Sequence, residues 1–306
     1  MNEQNILKIL NKNYPISFQR IEFMRDSGCL TYTVYSENAK YFLRIPKPNF
    51  LKTAEKSLEI QFFLQKQGFH VPRIIVTNEG QPCVYVGDGE GKQIYVLNEF
   101  LEGIEVNPEE DAEDIGALVG QLHRIMKSYP GELIQRDKPY YIDRYIEILR
   151  KKQYAQVEQF EEYGNQLWKC LENVPRGYCH GDLYRGNILK TPSGDLYVLD
   201  LDTFCEGYAM YDPALICNLT DYFKWEEDGY KKTKAVYERF LPEYLKYNDL
   251  SQTEVESLYD MIALYHFTLQ ATIIEIFGID CVENAFFDRQ LAWLNQWRKY
   301  TNIANK

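Results

Sequence analysis

His180-Gly181-Asp182-Leu183-Tyr184-Arg185-Gly186-Asn187, followed by Leu196-Tyr197-Val198-Leu199-Asp200-Leu201-Asp202, is the stretch that decides the reading of this chain. It offers an Asp, an Asn five positions later, and an Asp at the end of the next apolar run. Phosphoryl transfer from a nucleotide needs that set. One carboxylate orients the attacking hydroxyl, and an amide and a second carboxylate hold the divalent metal that neutralises the phosphates. Asp182 is therefore the candidate base, and Asn187 and Asp200 are the candidate metal ligands. Mg²⁺ prefers such carboxylate and amide oxygens, completed by water and phosphate. If the strand continues past Asp200, Asp202 points to the same side, since side chains alternate with period two. It then becomes a further metal, structural or substrate ligand.

Composition narrows the alternatives. A chain of 306 residues, 45% of them apolar, can bury one large core or the cores of two lobes. A net charge of −11 and a pI near 5.0 argue against a nucleic-acid partner, which needs a basic face. The apolar part of the N-terminal stretch, Ile6-Leu7 and Ile9-Leu10, is too short for a signal-peptide core. The longest apolar stretch, 261–277, carries His266, Gln270 and Glu275 and suits a buried helix rather than a membrane span. The seven cysteines are scattered without a CxxC pair, which excludes common zinc and redox motifs and fits reduced thiols in the cytoplasm.

Residues to about 101 read as strand-rich. Short β-branched and aromatic runs cover 16–23, 31–35, 41–45, 74–77, 83–86 and 93–101. A helix over 54–67 is ended by Gly68, and a Gly-rich turn spans 87–91. From Asn107, a capping residue followed by Pro108, the pattern becomes helical. Helices are expected over 108–127, 141–152, 156–172 and about 285–303. The capping box Ser251-Gln252-Thr253-Glu254 is expected to open a long helix that ends near Gly278.

The HGDxxxxN loop and the D-L-D that follows resemble those of the aminoglycoside phosphotransferase and choline kinase superfamily, across most of the chain. The resemblance implies an α+β, two-lobed protein kinase-like fold. A nucleotide-binding N-lobe would cover 1–101 and a helical C-lobe 102–306, with ATP or GTP in the cleft between them. It assigns Asp182 to the catalytic position, Asn187 and Asp200 to the metal positions, and Tyr211-Asp212-Pro213-Ala214 to a segment whose Asp is structural. It also implies a basic residue on the third strand, paired with a helix Glu. Arg44 stands in that place, with Glu59 as first partner and Glu55 as second. Asp26-Ser27-Gly28-Cys29 would cover the phosphates, so Ser27 and Gly28 join the nucleotide site. Glu99-Phe100-Leu101 would be the hinge, binding the base through the backbone at Glu99 and Leu101. His123 is read as a packing or hydrogen-bonding residue.

D-L-D in place of D-F-G, with no A-P-E after it, points to a small-molecule rather than a protein acceptor. Acidic and aromatic residues in the second part, among them Trp225 and Glu275, would suit an amine-bearing acceptor through ion pairs and cation–π contacts. An aminoglycoside-type antibiotic comes first. Choline, ethanolamine or an amino sugar comes next, and a catalytically silent kinase-fold module is the alternative of another class. No nucleic-acid or membrane partner is expected.

Overall fold

Strand-forming residues of the first hundred positions build a five-stranded antiparallel sheet in the order β1-β2-β3-β5-β4. The coordinates are those of a computed structural model, which describes residues 2–26 and 28–304. Helix α1 (Glu3–Asn13) is capped by Asn2, whose side chain accepts from the Gln4 N–H at 2.9 Å. Then come β1 (Phe18–Asp26), β2 (Cys29–Ser36), β3 (Lys40–Pro46), α2 (Leu51–Lys66), β4 (Val84–Val86) and β5 (Gln93–Glu99). One face of the sheet packs Val34, Leu43, Ile45, Tyr95 and Leu97 against Ile6 and Leu10 of α1. The other buries Ile94 and Val96 against Ala54 and Leu58 of α2. Glycine at 68 allows the left-handed turn (φ +73°) that ends α2.

Six short strands follow: β6 (Ile104–Glu105), β7 (Ile134–Gln135), β8 (Arg176–Cys179), β9 (Ile188–Lys190), β10 (Leu196–Val198) and β11 (Cys205–Tyr208). By contacts the chain divides into two units. Met1–Glu105 with Asn187–Thr203 form one, and Val106–Gly186 with Phe204–Lys306 form the other. The hairpin β9–β10 belongs to the first unit because β6 pairs with β9 and His70 stacks on Tyr197 at 5.0 Å. In addition, the Val198 N–H donates to the His70 carbonyl at 3.0 Å.

The second unit holds the sheet β7-β11-β8 and helices α3 (Pro108–Met126), α4 (Arg144–Lys151), α5 (Val157–Cys170), α6 (Tyr211–Cys217), α7 (Glu227–Leu245), α8 (Gln252–Glu256), α9 (Leu258–Phe277) and α10 (Asn284–Ala304). Asn107 caps α3, as its position before Pro108 predicts. Gly116 and Gly120 let α7 lie directly on α3: a Cβ at either would run into the carbonyl oxygen of Phe240 or Tyr244. No helix among the described residues is long and apolar enough to cross a membrane.

Three expectations change. Residues 74–77 supply only one bridge, Ile74 to Asn98, because the Thr77 hydroxyl accepts from the N–H groups of Glu79 and Gln81 and turns the chain away. The capping box forms as read, with both reciprocal bonds present, but it opens only the short α8. The Ser257 hydroxyl donates to the Glu254 carbonyl at 2.7 Å, and the long α9 starts afresh from there. Helix α7, with Pro242 inside it, was not anticipated from the sequence.

Candidate active site

Hairpin β9–β10 brings together the two candidate metal ligands. Its register sets Ile188 opposite Val198, so the next pair is Asn187 and Leu199. The Leu199 N–H donates to the Asn187 carbonyl at 2.9 Å, which places Asn187 beside the peptide that leads into Asp200. Asp200 has a left-handed backbone (φ +53°), a conformation that non-glycine residues rarely adopt. Its side chain is 49% exposed. A carboxylate turned toward solvent beside an Asn offers hard oxygen donors of the kind Mg²⁺ or Ca²⁺ takes, with positions left for phosphate and water. The residues present therefore fit a divalent cation.

Arg44, on the central strand β3, gives the largest departure at this site. Its Nη2 bonds Asp202 Oδ2 at 2.5 Å and lies 4.0 Å from Asp200 Oδ1. Neither helix glutamate is its partner. Glu59 is exposed and bonds Lys56 at 2.8 Å, while Glu55 bonds Lys92 at 3.0 Å. The longer, forked guanidinium reaches past α2 to the D-L-D turn, where an ammonium would sit as a single point charge. The place assigned to Glu59 is thus filled by Asp202.

Gly28 sits at the β1–β2 turn, where its carbonyl accepts from the Lys47 N–H at 3.0 Å. A Cβ there would meet only the Phe50 ring, at an ordinary 3.6 Å. Ser27 lies outside the described residues. Glu99 clamps the chain before the β5 exit: its carboxylate accepts from the Arg73 N–H at 2.7 Å, and its own N–H donates to the Arg73 carbonyl at 2.8 Å. Its N–H is therefore already engaged. Leu101, two residues on, donates and accepts no backbone hydrogen bond among the described residues.

In the second unit, the loop bearing Asp182 is pinned on both sides by fully buried residues, His180 and Leu183. Beneath it lies Asp212, also fully buried, in the first turn of α6. Its carboxyl oxygens accept from the His180 N–H at 2.6 Å and the Gly181 N–H at 2.9 Å. His123 Nε2 lies 3.0 Å from the same group, and its Nδ1 is 2.7 Å from the Tyr244 hydroxyl, which in turn accepts from Asn248 at 2.7 Å. The close α3–α7 approach at Gly120 brings Tyr244 to His123. His123 thus has the hydrogen-bonding place read for it. Tyr244 and Asn248 carry no local signal, since they lie 121 and 125 residues further along the chain.

Asp182 itself is partly exposed, with the exposed Tyr184 two residues on. Burial and the Asp182 carboxylate together push the Tyr265 phenol up. Tyr222 meets the Tyr265 ring edge-on at 5.3 Å. His266, buried behind Tyr222, is held by burial down to about 3 and is a neutral ring bonded to Gln290.

Several acidic residues of the second part, which the sequence offers for an amine-bearing acceptor, are already engaged. Glu275, singled out because a carboxylate in an apolar stretch needs a partner, has one in Arg144 at 2.9 Å. Asp280 pairs with Lys152 and Glu226 with Lys224, while Glu227 and Asp228 pair with Lys231 and Lys232. Trp225 packs in an aromatic cluster with Trp293, Trp297 and Tyr300.

Comparison with known proteins gives the family and the fold. Residues 26–249 match the model of the phosphotransferase enzyme family, and the chain belongs to that family. It is a small-molecule kinase of this group. Among similar proteins, the homoserine kinase of Bartonella tribocorum is 24% identical over 72% of this chain and 72% of its own length. Two solved structures share the fold. An amicoumacin kinase in complex with AMP-PNP, Ca²⁺ and amicoumacin superposes with a TM-score of 0.74 at 17% identity, covering 98% of this chain and 94% of its own. A microcompartment-associated aminopropanol kinase gives 0.72 at 16% identity, covering 97% and 95%. The mixed α+β, protein kinase-like class expected from the sequence is the observed one.

Proposed function

We propose that the protein transfers the γ-phosphoryl group of ATP or GTP to a hydroxyl of a compact, amine-bearing small molecule. The observation that carries this reading is the β9–β10 hairpin, which sets Asn187 beside Asp200 while Asp202 holds Arg44 4.0 Å from Asp200. Asn187 and Asp200 would hold Mg²⁺, which neutralises charge on the phosphates when bound. Arg44 steadies phosphate oxygens through its fork. Asp182 accepts the hydrogen bond, and later the proton, of the acceptor hydroxyl. With no covalent intermediate to form, positioning and charge stabilisation supply the rate.

Tyr265, whose phenol feels the Asp182 carboxylate, and Tyr222, edge-on against it, supply aromatic faces near the candidate base and support an ammonium on the acceptor. A compact acceptor with one ammonium has more support than a polycationic aminoglycoside, because several carboxylates that would bind further ammonium groups already carry lysine or arginine partners. Homoserine and aminopropanol, named for two of the similar kinases, are acceptors of that size. A coupled nucleotide-turnover assay with Mg²⁺ across amino alcohols, hydroxy amino acids, choline and aminoglycosides tests this. Turnover is expected with a compact acceptor. Turnover with aminoglycosides alone would restore the antibiotic reading, and nucleotide binding without turnover on any acceptor would favour a silent kinase-fold module.

The Arg44–Asp202 pair gives a second expected result. Asp202→Asn is predicted to raise the KM for nucleotide about tenfold, between the small effect of an exposed ion pair and the large one of a buried pair. Glu59→Gln, the substitution that would matter in a strand–helix pair, should leave it unchanged. Nucleotide titrations of both variants decide which carboxylate positions Arg44.

A further inference from the structure

Arg136, at the end of β7, differs from the arginines around it. Arg144 bonds Glu275, Thr272 and the Thr268 carbonyl, and Arg176 bonds Asp137 and two backbone carbonyls. Each of the three leaves one buried nitrogen without an acceptor, Nη1 in Arg136, but the Arg136 side chain alone of them makes no hydrogen bond or ion pair with any described residue. Its strongest electrostatic neighbours are two thiols, Cys205 and Cys179, and two phenols, Tyr140 and Tyr211. The guanidinium lies over the Tyr140 ring at 4.2 Å, and Arg144 lies over the same ring at 4.4 Å. Two guanidinium groups thus share one ring, and only one of them has a carboxylate. A further donor, the hydroxyl of the fully buried Tyr141, also has no partner and lies within the field of Arg136.

The position of this cation is informative. Cys179 is three residues before Asp182 in the chain, and Tyr140 lies, with Asp182, among the groups that act on Tyr265. Arg136 is only partly buried, so its remaining edge is open. The Arg136 N–H donates to the Glu206 carbonyl of β11, which pairs with β8, the strand that ends at Cys179 and leads into the Asp182 loop. A guanidinium there with neutral neighbours lacks one thing, an anion, and a carboxylate matches its fork.

We infer that Arg136 is a binding site for an anionic group of the acceptor, most simply a carboxylate, so that the substrate class is a hydroxy amino acid rather than an amino alcohol. This rests on the kinase reading above, with Asp182 meeting the hydroxyl and Arg136 the anionic group.

The test uses acceptor pairs that differ only in a carboxylate: ω-hydroxy-α-amino acids of three and four carbons against the amino alcohols that lack it. The wild-type protein is expected to prefer the carboxylated member. In R136Q the ratio of kcat/KM between the two members should fall about ten- to a hundredfold, through KM, and R136K should recover part of it. A ratio that stays constant while both members lose activity would make Arg136 structural and overturn the inference. Preference for the carboxyl-free member in the wild type would overturn it too, while leaving the kinase reading intact. If neither member is turned over, calorimetric titration of the carboxylated compound into wild type and R136Q decides separately: binding to the wild type that R136Q loses supports the anion site, and equal or absent binding removes it.

Discussion

Asp182→Asn should lower kcat by about 10²- to 10⁴-fold, the range of a positioned general base, while the KM for nucleotide moves little. The substitution keeps size and one acceptor oxygen but removes the ability to take a proton. Its neighbours should hold the loop in place, because the backbone N–H groups of His180 and Gly181 are anchored on Asp212 and Leu183 is buried. Steady-state turnover with the best acceptor of the panel, beside nucleotide titration of the same preparation, is the measurement. Normal turnover in the variant would remove Asp182 from the mechanism and the kinase proposal with it.

The second large effect is expected at Asp212, which touches no substrate in this reading. Asp212→Ala strips the acceptor from two buried N–H groups and from His123 Nε2. Each orphaned donor costs about 1–3 kcal/mol. Several kcal/mol would be lost from a native state stable by only about 5–15 kcal/mol, so urea unfolding should shift far to lower midpoint or the protein should fail to fold. Asp212→Asn separates positioning from bulk stability. It retains one acceptor oxygen and turns the other toward its donors as an NH₂ group. Under conditions where this variant is folded, kcat is expected to drop while nucleotide affinity stays, because the displaced residues carry Asp182. Equal loss of both would assign Asp212 to the architecture alone.

Both residues stand in segments that the sequence displays openly, whereas their support does not. Asp182, Asn187 and Asp200 are legible because phosphoryl transfer dictates residue types at short spacings. The strands of the first sheet and helix α3 are legible because alternation, periodicity and caps are local. The sequence singles out Arg44 but not its partner. A helix Glu is the usual counterion, and only the path of the D-L-D turn brings Asp202 within 2.5 Å. Glu275 is read from the sequence as an acceptor contact, whereas the tertiary structure pairs it with Arg144, from a helix 131 residues earlier. The hydrogen-bond chain Asn248–Tyr244–His123–Asp212 joins three helical regions through the close packing at Gly120, and nothing within any one of those regions announces it.

The sequence by itself carried the class of fold, through local periodicity and caps, and the family, through the resemblance of its HGDxxxxN loop, and it proposed Asp182, Asn187 and Asp200 as the phosphoryl-transfer set. Tertiary structure alone decided that residues 187–203 fold with the first unit, that Asp202 and not Glu59 holds Arg44, that most candidate acidic contacts are neutralised, and that Arg136 lacks a counterion. The division has a physical cause. Local sequence fixes backbone propensity and the identity of a charge, but whether that charge is satisfied depends on which distant side chain packing brings within hydrogen-bond reach.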